Sequence, residues 1–191
     1  TISTNPSGGV GAQWANSTTG NLYVCTDATS GENVWTNTDS AQSSIQPWQF
    51  GGTSYGYSAG GYPPADWDVI HKFSLSSDAN ATNIGDLSLA RHAVSGNSGS
   101  SYGYAAGGNP DPVINVVDKF AFATDGNAVD NGDLTAGRAY MTTQSSETYG
   151  YCSGGVDSSP TPAAQNIIDK FPFASSANST DVGDLATAIG R

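Results

Sequence analysis

The chain has 191 residues and is acidic, with 17 Asp and Glu against six Lys and Arg and a net charge of −11. This charge argues against nucleic acid, whose binding needs clustered basic side chains that release counterions, and against an anionic membrane surface. No stretch of sequence approaches the roughly 20 apolar residues of a membrane span. Four Trp, nine Tyr and six Phe spread through turn-rich polar sequence favour an all-β protein of many short strands over disorder.

The first 43 residues (1–43) predict a small antiparallel β module. Its three short strands are joined by turns that carry glycine: GAQWANS (11–17), NLYVCTD (21–27) and ENVWTN (32–37). Trp14, Tyr23 and Trp35 are predicted to share one face of this sheet. A core of this size is too small to be stable alone, so we expect the module to pack on the rest of the chain or on copies of itself. A second domain is predicted at 44–191.

Residues 44–191 contain a sequence that recurs with a period of about 47 residues. The phrases SYGYSAGG, SYGYAAGG and TYGYCSGG begin at residues 54, 101 and 148. Two more phrases follow each time, one with Lys-Phe and one with Gly-Asp-Leu, and the third copy has four extra residues in a Pro- and Ser-rich loop. The repeat predicts three structural units, at approximately 44–90, 91–137 and 138–191.

Each unit is predicted to form four short strands and essentially no helix. In the second unit the strands are HAVSGN (92–97), YGYAAGG (102–108), VVDKFAF (116–122) and GDLTAG (132–137). Apolar and polar residues alternate in the third strand, as expected of a half-buried strand, and Gly, Asn, Asp and Pro occupy the turns. A four-stranded antiparallel unit repeated at this period is typical of a β-propeller blade.

The repeat resembles the kelch repeat. Kelch blades carry an aromatic residue and a doubled glycine at the end of the second strand, and an arginine that leads into the next blade. Tyr104, the pair Gly107 and Gly108, and Arg138 match these features. Leucine stands where kelch blades have a late tryptophan, at Leu87, Leu134 and Leu185. The resemblance implies an all-β fold in which three four-stranded, kelch-like β-propeller blades follow the small antiparallel β module.

The N-terminal phrase GAQWANSTTGNLYVCTD, which runs into Asn-Val-Trp, resembles a small module of bacteriophage tail-fibre and other virion appendage proteins. The Gly- and Tyr-rich repeats resemble those of marine phage structural proteins. This resemblance implies a non-enzymatic structural protein on the virion surface, whose partners are other virion proteins and further copies of itself. Host-surface glycans would be natural ligands of such a display module. The alternative is an intracellular kelch-type protein-interaction scaffold, and a propeller-fold hydrolase or oxidase is less favoured.

Three aromatic residues are candidate glycan-binding residues: Trp48, Tyr62 and Trp67. The comparison between units does not require an aromatic side chain at these positions, and exposed aromatic rings suit the faces of sugars. Tyr62 and Trp67 belong to the variable loop that follows the first Gly-Gly pair. The alternative is that these rings pack between blades.

Every unit has one lysine, which precedes a phenylalanine, and a Gly-Asp-Leu aspartate fourteen positions later. If the two phrases form adjacent antiparallel strands, the lysine and the aspartate can meet across them. The sequence therefore predicts a repeated structural ion pair within each blade, formed by Lys72 with Asp86, Lys119 with Asp133, and Lys170 with Asp184. A ring of lysines that binds an anion is the functional alternative.

No arrangement of residues in the sequence predicts a catalytic site, a metal site or a cofactor. His71 and His92 are not paired with other catalytic or metal-ligating residues. The hairpin TDGNAVDNGD (124–133) offers oxygen ligands for calcium, but the acidic positions differ between the three copies, and Asn and Asp also terminate turns. Cys25 and Cys152 are expected to be free thiols.

Three blades are fewer than the roughly four to eight of a closed propeller, and this leaves two open edges. Two chains could close a six-bladed ring, or further blades could follow Arg191. The second arrangement is favoured, because Arg191 stands where the next blade would begin, as Arg91 and Arg138 do.

Overall fold

The structure is a computed structural model, and it describes residues 7–16, 21–30, 33–38, 54–158 and 163–190. The chain divides into two compact units, Thr1–Phe50 and Gly51–Arg191. Every regular element in the described ranges is a β-strand, which confirms the all-β prediction. The predicted boundary between residues 43 and 44 lies outside those ranges. In the part of the chain that is described, no helix is long and apolar enough to cross a membrane.

The described residues of the first unit form one antiparallel sheet with the strand order β1-β2-β3. Its strands are β1 (Gln13–Ala15), β2 (Leu22–Asp27) and β3 (Val34–Asn37). Trp14 lies opposite Tyr23, and Cys25 lies opposite Trp35. Tyr23, Cys25 and Trp35 are buried, and Trp14 packs against them. The predicted aromatic face is therefore confirmed, with Cys25 as a further member.

In the second unit the described residues form three antiparallel sheets, each built from consecutive strands. We call them the first, second and third repeat sheets. The first consists of β4 (Tyr55–Gly61), β5 (Trp67–Ser74) and β6 (Thr82–Asp86). The second consists of β7 (Ser95–Ser98), β8 (Tyr102–Ala106), β9 (Val116–Ala121) and β10 (Val129–Asp133). The third consists of β11 (Thr142–Ser145), β12 (Tyr149–Ser153), β13 (Gln165–Pro172) and β14 (Thr180–Ile189).

The last strand of a repeat sheet begins earlier than the sequence predicts. The prediction at 132–137 is wrong in position, because β10 occupies Val129–Asp133 and pairs with β9 from Val129 opposite Lys119 to Asp133 opposite Val116. These edge-strand residues are mostly polar and partly exposed, so their composition resembles that of a turn. The chain leaves the sheet after Asp133, and Leu134 becomes buried.

The hydrophobic core of the second unit lies between consecutive repeat sheets. Tyr57 stacks on Phe122 across the boundary between the first and second sheets, with ring centroids 5.0 Å apart. Tyr104 stacks in the same way on Phe173 across the next boundary, at 4.9 Å. One buried cluster at each boundary includes the leucine of the Gly-Asp-Leu phrase. Stacking of one sheet on the next is therefore the main source of burial in this unit.

The central glycine of each Tyr-Gly-Tyr phrase lies under a phenylalanine ring. In the strand register Gly56 faces Phe73, Gly103 faces Phe120, and Gly150 faces Phe171. A Cβ atom at any of these glycines would collide with the ring carbons of its partner. The glycine and the phenylalanine are thus one packing unit, although they are separated by 17 residues in the second copy.

We expect Gly103→Ala to lower the free energy of unfolding by about 1–3 kcal/mol, because the new methyl group must displace the buried Phe120 ring. Urea denaturation measures this change.

Gly126→Ala is the matched control, since a Cβ there meets no atom within 4 Å. Its expected effect stays within about 0.5 kcal/mol. Equal losses in the two variants would contradict the packing of Gly103 against Phe120.

Candidate ligand-binding surface

The lysine of the first repeat sheet has a different partner from the one predicted. Lys72 Nζ lies 2.9 Å from a carboxylate oxygen of Asp125, which belongs to the hairpin of the second repeat sheet. This hydrogen bond raises the pKa of Lys72. Within its own sheet Lys72 faces Thr82, whereas Asp86 faces Val69. The predicted pair with Asp86 is therefore wrong: the strands are adjacent, but the register separates the two residues.

The other two predicted ion pairs fail for the same reason. Asp133 faces Val116 rather than Lys119, and Asp184 faces Ile167 rather than Lys170. Lys119 Nζ instead bonds the Ser176 hydroxyl of the third repeat sheet at 2.9 Å. All three lysine ammonium groups lie over the ring of the tyrosine that begins the second strand of their repeat, at 4.5–5.1 Å from the ring centroid (Tyr55, Tyr102 and Tyr149).

Two arginine–aspartate pairs, which the sequence analysis missed, connect consecutive repeat sheets. Arg91 Nη1 lies 3.1 Å from Asp118, and Arg138 Nη2 lies 2.6 Å from Asp169. All four side chains are fully buried. Each arginine follows the last strand of one sheet, and each aspartate lies on the third strand of the next. Because ligands cannot reach buried pairs of this kind, we assign them a structural role.

Each buried aspartate also accepts two further hydrogen bonds. Ser88 donates its backbone N–H and its hydroxyl to Asp118, at 2.8 and 2.9 Å. Thr135 does the same for Asp169, at 3.1 and 2.6 Å. Burial lowers the pKa of the Arg91 guanidinium, and the charge of Asp118 opposes this shift.

One signal in the sequence could have revealed these pairs. The arginine and the aspartate are 27 residues apart in one copy and 31 in the other, so the four-residue insertion accounts for the difference. His71 replaces the aspartate in the first repeat, and no Arg precedes His71 in the sequence. The aspartate therefore occurs only in repeats that follow an arginine.

Tyr62, one of the predicted ligand-binding residues, lies beside an Asp–His pair, and Trp67, another of them, directly follows Asp66 in the chain. Both aromatic rings are exposed, Tyr62 to 64% and Trp67 to 45%. The ring centroid of His92 is 5.5 Å from that of Tyr62, and His92 Nδ1 is 2.6 Å from Asp66 Oδ1. We call these four residues the Tyr62–His92 surface. The third predicted residue, Trp48, lies outside the described residues.

The backbone of Arg91 holds the loop that carries this surface. The N–H of Gly61 donates to the Arg91 carbonyl, and the N–H of Arg91 donates to the Trp67 carbonyl, both at 3.0 Å. The backbone of Arg91 therefore forms hydrogen bonds at both ends of the loop at residues 62–66, while its side chain forms the buried ion pair with Asp118. The surface is built on the boundary between two repeat sheets.

The Tyr62–His92 surface combines two kinds of recognition group. Two exposed rings offer apolar faces, while the Asp66–His92 pair offers a carboxylate acceptor and a ring nitrogen, Nε2, that Asp66 does not contact. Both polar side chains are only about a quarter exposed, so they are partly ordered before a ligand binds. Among the described residues, no group of three or more His, Cys, Asp or Glu could hold a metal ion.

Both cysteines are free, as predicted, and both are buried. Cys152 Sγ donates a weak hydrogen bond to Asn97 Oδ1, at 3.4 Å. Burial raises the pKa of the Cys152 thiol to about 12. A buried thiol with so high a pKa is a packing residue and not a nucleophile.

Neither the models of known protein families nor the curated proteins include a match to this sequence. The kelch and phage resemblances therefore rest on the sequence phrases.

We expect Asp169→Leu to lower the free energy of unfolding by about 3–5 kcal/mol, because it leaves the Arg138 charge buried without a partner. The double variant Arg138→Met, Asp169→Leu should recover most of this loss, since no buried charge remains. Urea denaturation measures both. Glu147→Leu, at an exposed position, is the control and should change stability by no more than about 0.5 kcal/mol. A double variant as unstable as the single one would contradict this assignment.

We expect Cys152 to resist thiol reagents at pH 8 in the folded protein and to react fully in urea. The measurement uses the Cys25→Ser variant, from which the other thiol has been removed. The Cys152 thiol has an ordinary pKa of 9.0 and a folded pKa of about 12. Below pH 9 both states are protonated, and as the pH rises from 9 towards 12 the unfolded state loses its proton first, so stability falls. Rapid modification of the native protein would contradict this expectation.

Proposed function

We propose that this chain is a non-enzymatic module of a bacteriophage virion appendage, a tail fibre or a similar part, in which kelch-like β-propeller blades display a glycan-binding surface. Three observations support the blade interpretation: the 47-residue repeat, the consecutive antiparallel strands of each repeat sheet, and the cores between sheets. The virion assignment rests on the resemblance of the N-terminal phrase and the repeats.

The observation that carries the glycan proposal is the Tyr62–His92 surface. Sugar rings present flat patches of C–H groups, which pack on exposed aromatic rings, and hydroxyls around these patches, which need donors and acceptors nearby. Tyr62 and Trp67 supply the rings, and Asp66 and His92 supply the polar groups. The net charge of −11 favours neutral sugars over acidic ones.

We expect the purified chain to bind neutral glycans on an array without turning them over. Tyr62→Ala and Trp67→Ala should each weaken binding by about tenfold or more, because each removes a stacking ring. Tyr55→Ala is the matched control: it removes a tyrosine of similar exposure at the opposite end of β4, and should leave the affinity unchanged. Affinity is measured by titration calorimetry.

Two results would overturn the glycan proposal: no binding to any array glycan, or equal affinities for the three variants and the parent. Hydrolysis of a bound glycan would favour the enzyme alternative. The virion assignment has a separate test, because mass spectrometry of purified particles from a phage that encodes the chain should detect it. A chain found only in infected-cell lysate would support the intracellular scaffold instead.

A further inference from the structure

The face of each repeat sheet that points towards the preceding repeat sheet is covered by that sheet in the second and third, whereas no repeat sheet precedes the first among the described residues. We call this side the leading face. Phe120 and Phe171 are buried on it. Their counterpart in the first sheet, Phe73, is 37% exposed, and its neighbour Leu75 is 50% exposed. The first repeat sheet thus presents an apolar surface of the kind that the other sheets bury.

The opposite side, the trailing face, is covered in the first and second repeat sheets but open in the third. Val182 is 46% exposed, whereas its counterparts Ile84 and Asn131 are buried. Gly183 shows the same contrast. A Cβ at its counterpart Gly132 would lie 2.6 Å from the Ala177 carbonyl oxygen of the next hairpin, but a Cβ at Gly183 would meet nothing within 4 Å.

The contacts between consecutive sheets include polar ones that repeat. The hairpin of the following sheet supplies an oxygen to the lysine, which is the Asp125 carboxylate for Lys72 and the Ser176 hydroxyl for Lys119. It also supplies an asparagine side chain that accepts the backbone N–H of the Gly-Asp-Leu aspartate. Asn127 accepts from Asp86, and Asn178 accepts from Asp133, both at 3.1 Å.

The leading face of the first sheet carries the hairpin residues of this contact, and the trailing face of the third sheet carries the lysine and the aspartate. Asp78 and Asn80, on the leading hairpin of the first sheet, occupy the positions of Asp125 and Asn127. Lys170 and Asp184, on the third sheet, occupy the positions of Lys72 and Asp86. Among the described residues Lys170 has no carboxylate partner, and Asp78 has no cationic one. The charges on the two faces are therefore complementary, and neither has a partner of opposite charge among the residues that the structure describes.

We propose that the leading face of one chain docks on the trailing face of a second copy, in the same way that consecutive repeat sheets pack. Lys170 then pairs with Asp78 of the other copy, and Asn80 accepts the Asp184 N–H. The contact is heterologous, so it closes into a ring or extends into a filament. This inference does not depend on the glycan or virion proposals, since it uses only contacts within the second unit.

The proposed contact between copies differs at His71 from the contacts between sheets within the chain. His71 stands where the second and third sheets have the buried Asp118 and Asp169, so the contact between copies lacks the aspartate of a buried pair. Phe73 and Leu75 bury apolar area in it regardless. We therefore expect reversible association within the range of accessible protein concentrations.

The test uses two single variants, Asp78→Lys and Lys170→Asp. Each reverses the charge of one partner in the proposed ion pair between copies. Sedimentation velocity between about 1 μM and about 1 mM should show the parent chain associating to at least twice the 19.5 kDa of one chain. Each variant alone should stay monomeric, because like charges meet at the contact. An equimolar mixture should associate again, since every contact between unlike copies then joins a lysine to an aspartate.

Two controls carry the same charge changes away from this contact. Glu147→Lys changes an exposed hairpin residue, and Lys119→Asp changes a lysine whose contacts lie within the chain. Both should associate like the parent, provided that their circular dichroism shows a folded protein. Val182→Arg, at an exposed position on the trailing face, should remain folded and monomeric.

A parent chain that stays monomeric over this concentration range would overturn the proposal. So would a mixture of the two charge variants that fails to associate, or association of Val182→Arg equal to that of the parent.

Discussion

The stacking of one repeat sheet on the next, through a buried arginine–aspartate pair, is the constraint on which the rest of the second unit depends. Placing two charges out of water costs several kcal/mol per ion unless geometry and further hydrogen bonds compensate. Ser88 and Thr135 supply those bonds to Asp118 and Asp169. The pairs therefore favour one position of each sheet relative to its neighbour. The same Arg91 that pairs with Asp118 holds both ends of the loop that exposes Tyr62.

The residues of the repeated sequence phrases make packing contacts within the protein and do not form a ligand-binding motif. In Tyr-Gly-Tyr, the first tyrosine lies under a lysine, the glycine lies under a phenylalanine, and the second tyrosine faces the neighbouring sheet. These contacts recur because each sheet meets its neighbour in the same way. Residues that differ between copies are free of this requirement. Tyr62 and Trp67 are such residues; both are exposed, and the Tyr62 ring lies 5.5 Å from that of His92.

A stack of similar sheets has two ends that match each other, because each internal boundary joins a trailing face to a leading face. The property follows from repetition alone, and it gives a short array an intrinsic tendency to associate. Natural sheet proteins suppress such association by charging or covering their edges. Here the charges on the two faces are of opposite sign, which would favour the proposed contact between copies.

The sequence by itself determined the all-β class, the repeat period, the aromatic face of the first unit and the free cysteines, because alternation, turn residues and periodicity are local properties of the chain. Only the tertiary structure decided the partners of the long charged side chains. Lys72 reaches Asp125 and not Asp86, and Arg91 reaches Asp118, because strand register, bulges and the stacking of sheets place these groups. For the lysines, spacing along the chain does not encode the strand register that separates Lys72 from Asp86. A lysine and an aspartate fourteen residues apart can be neighbours or not, depending on where a strand begins.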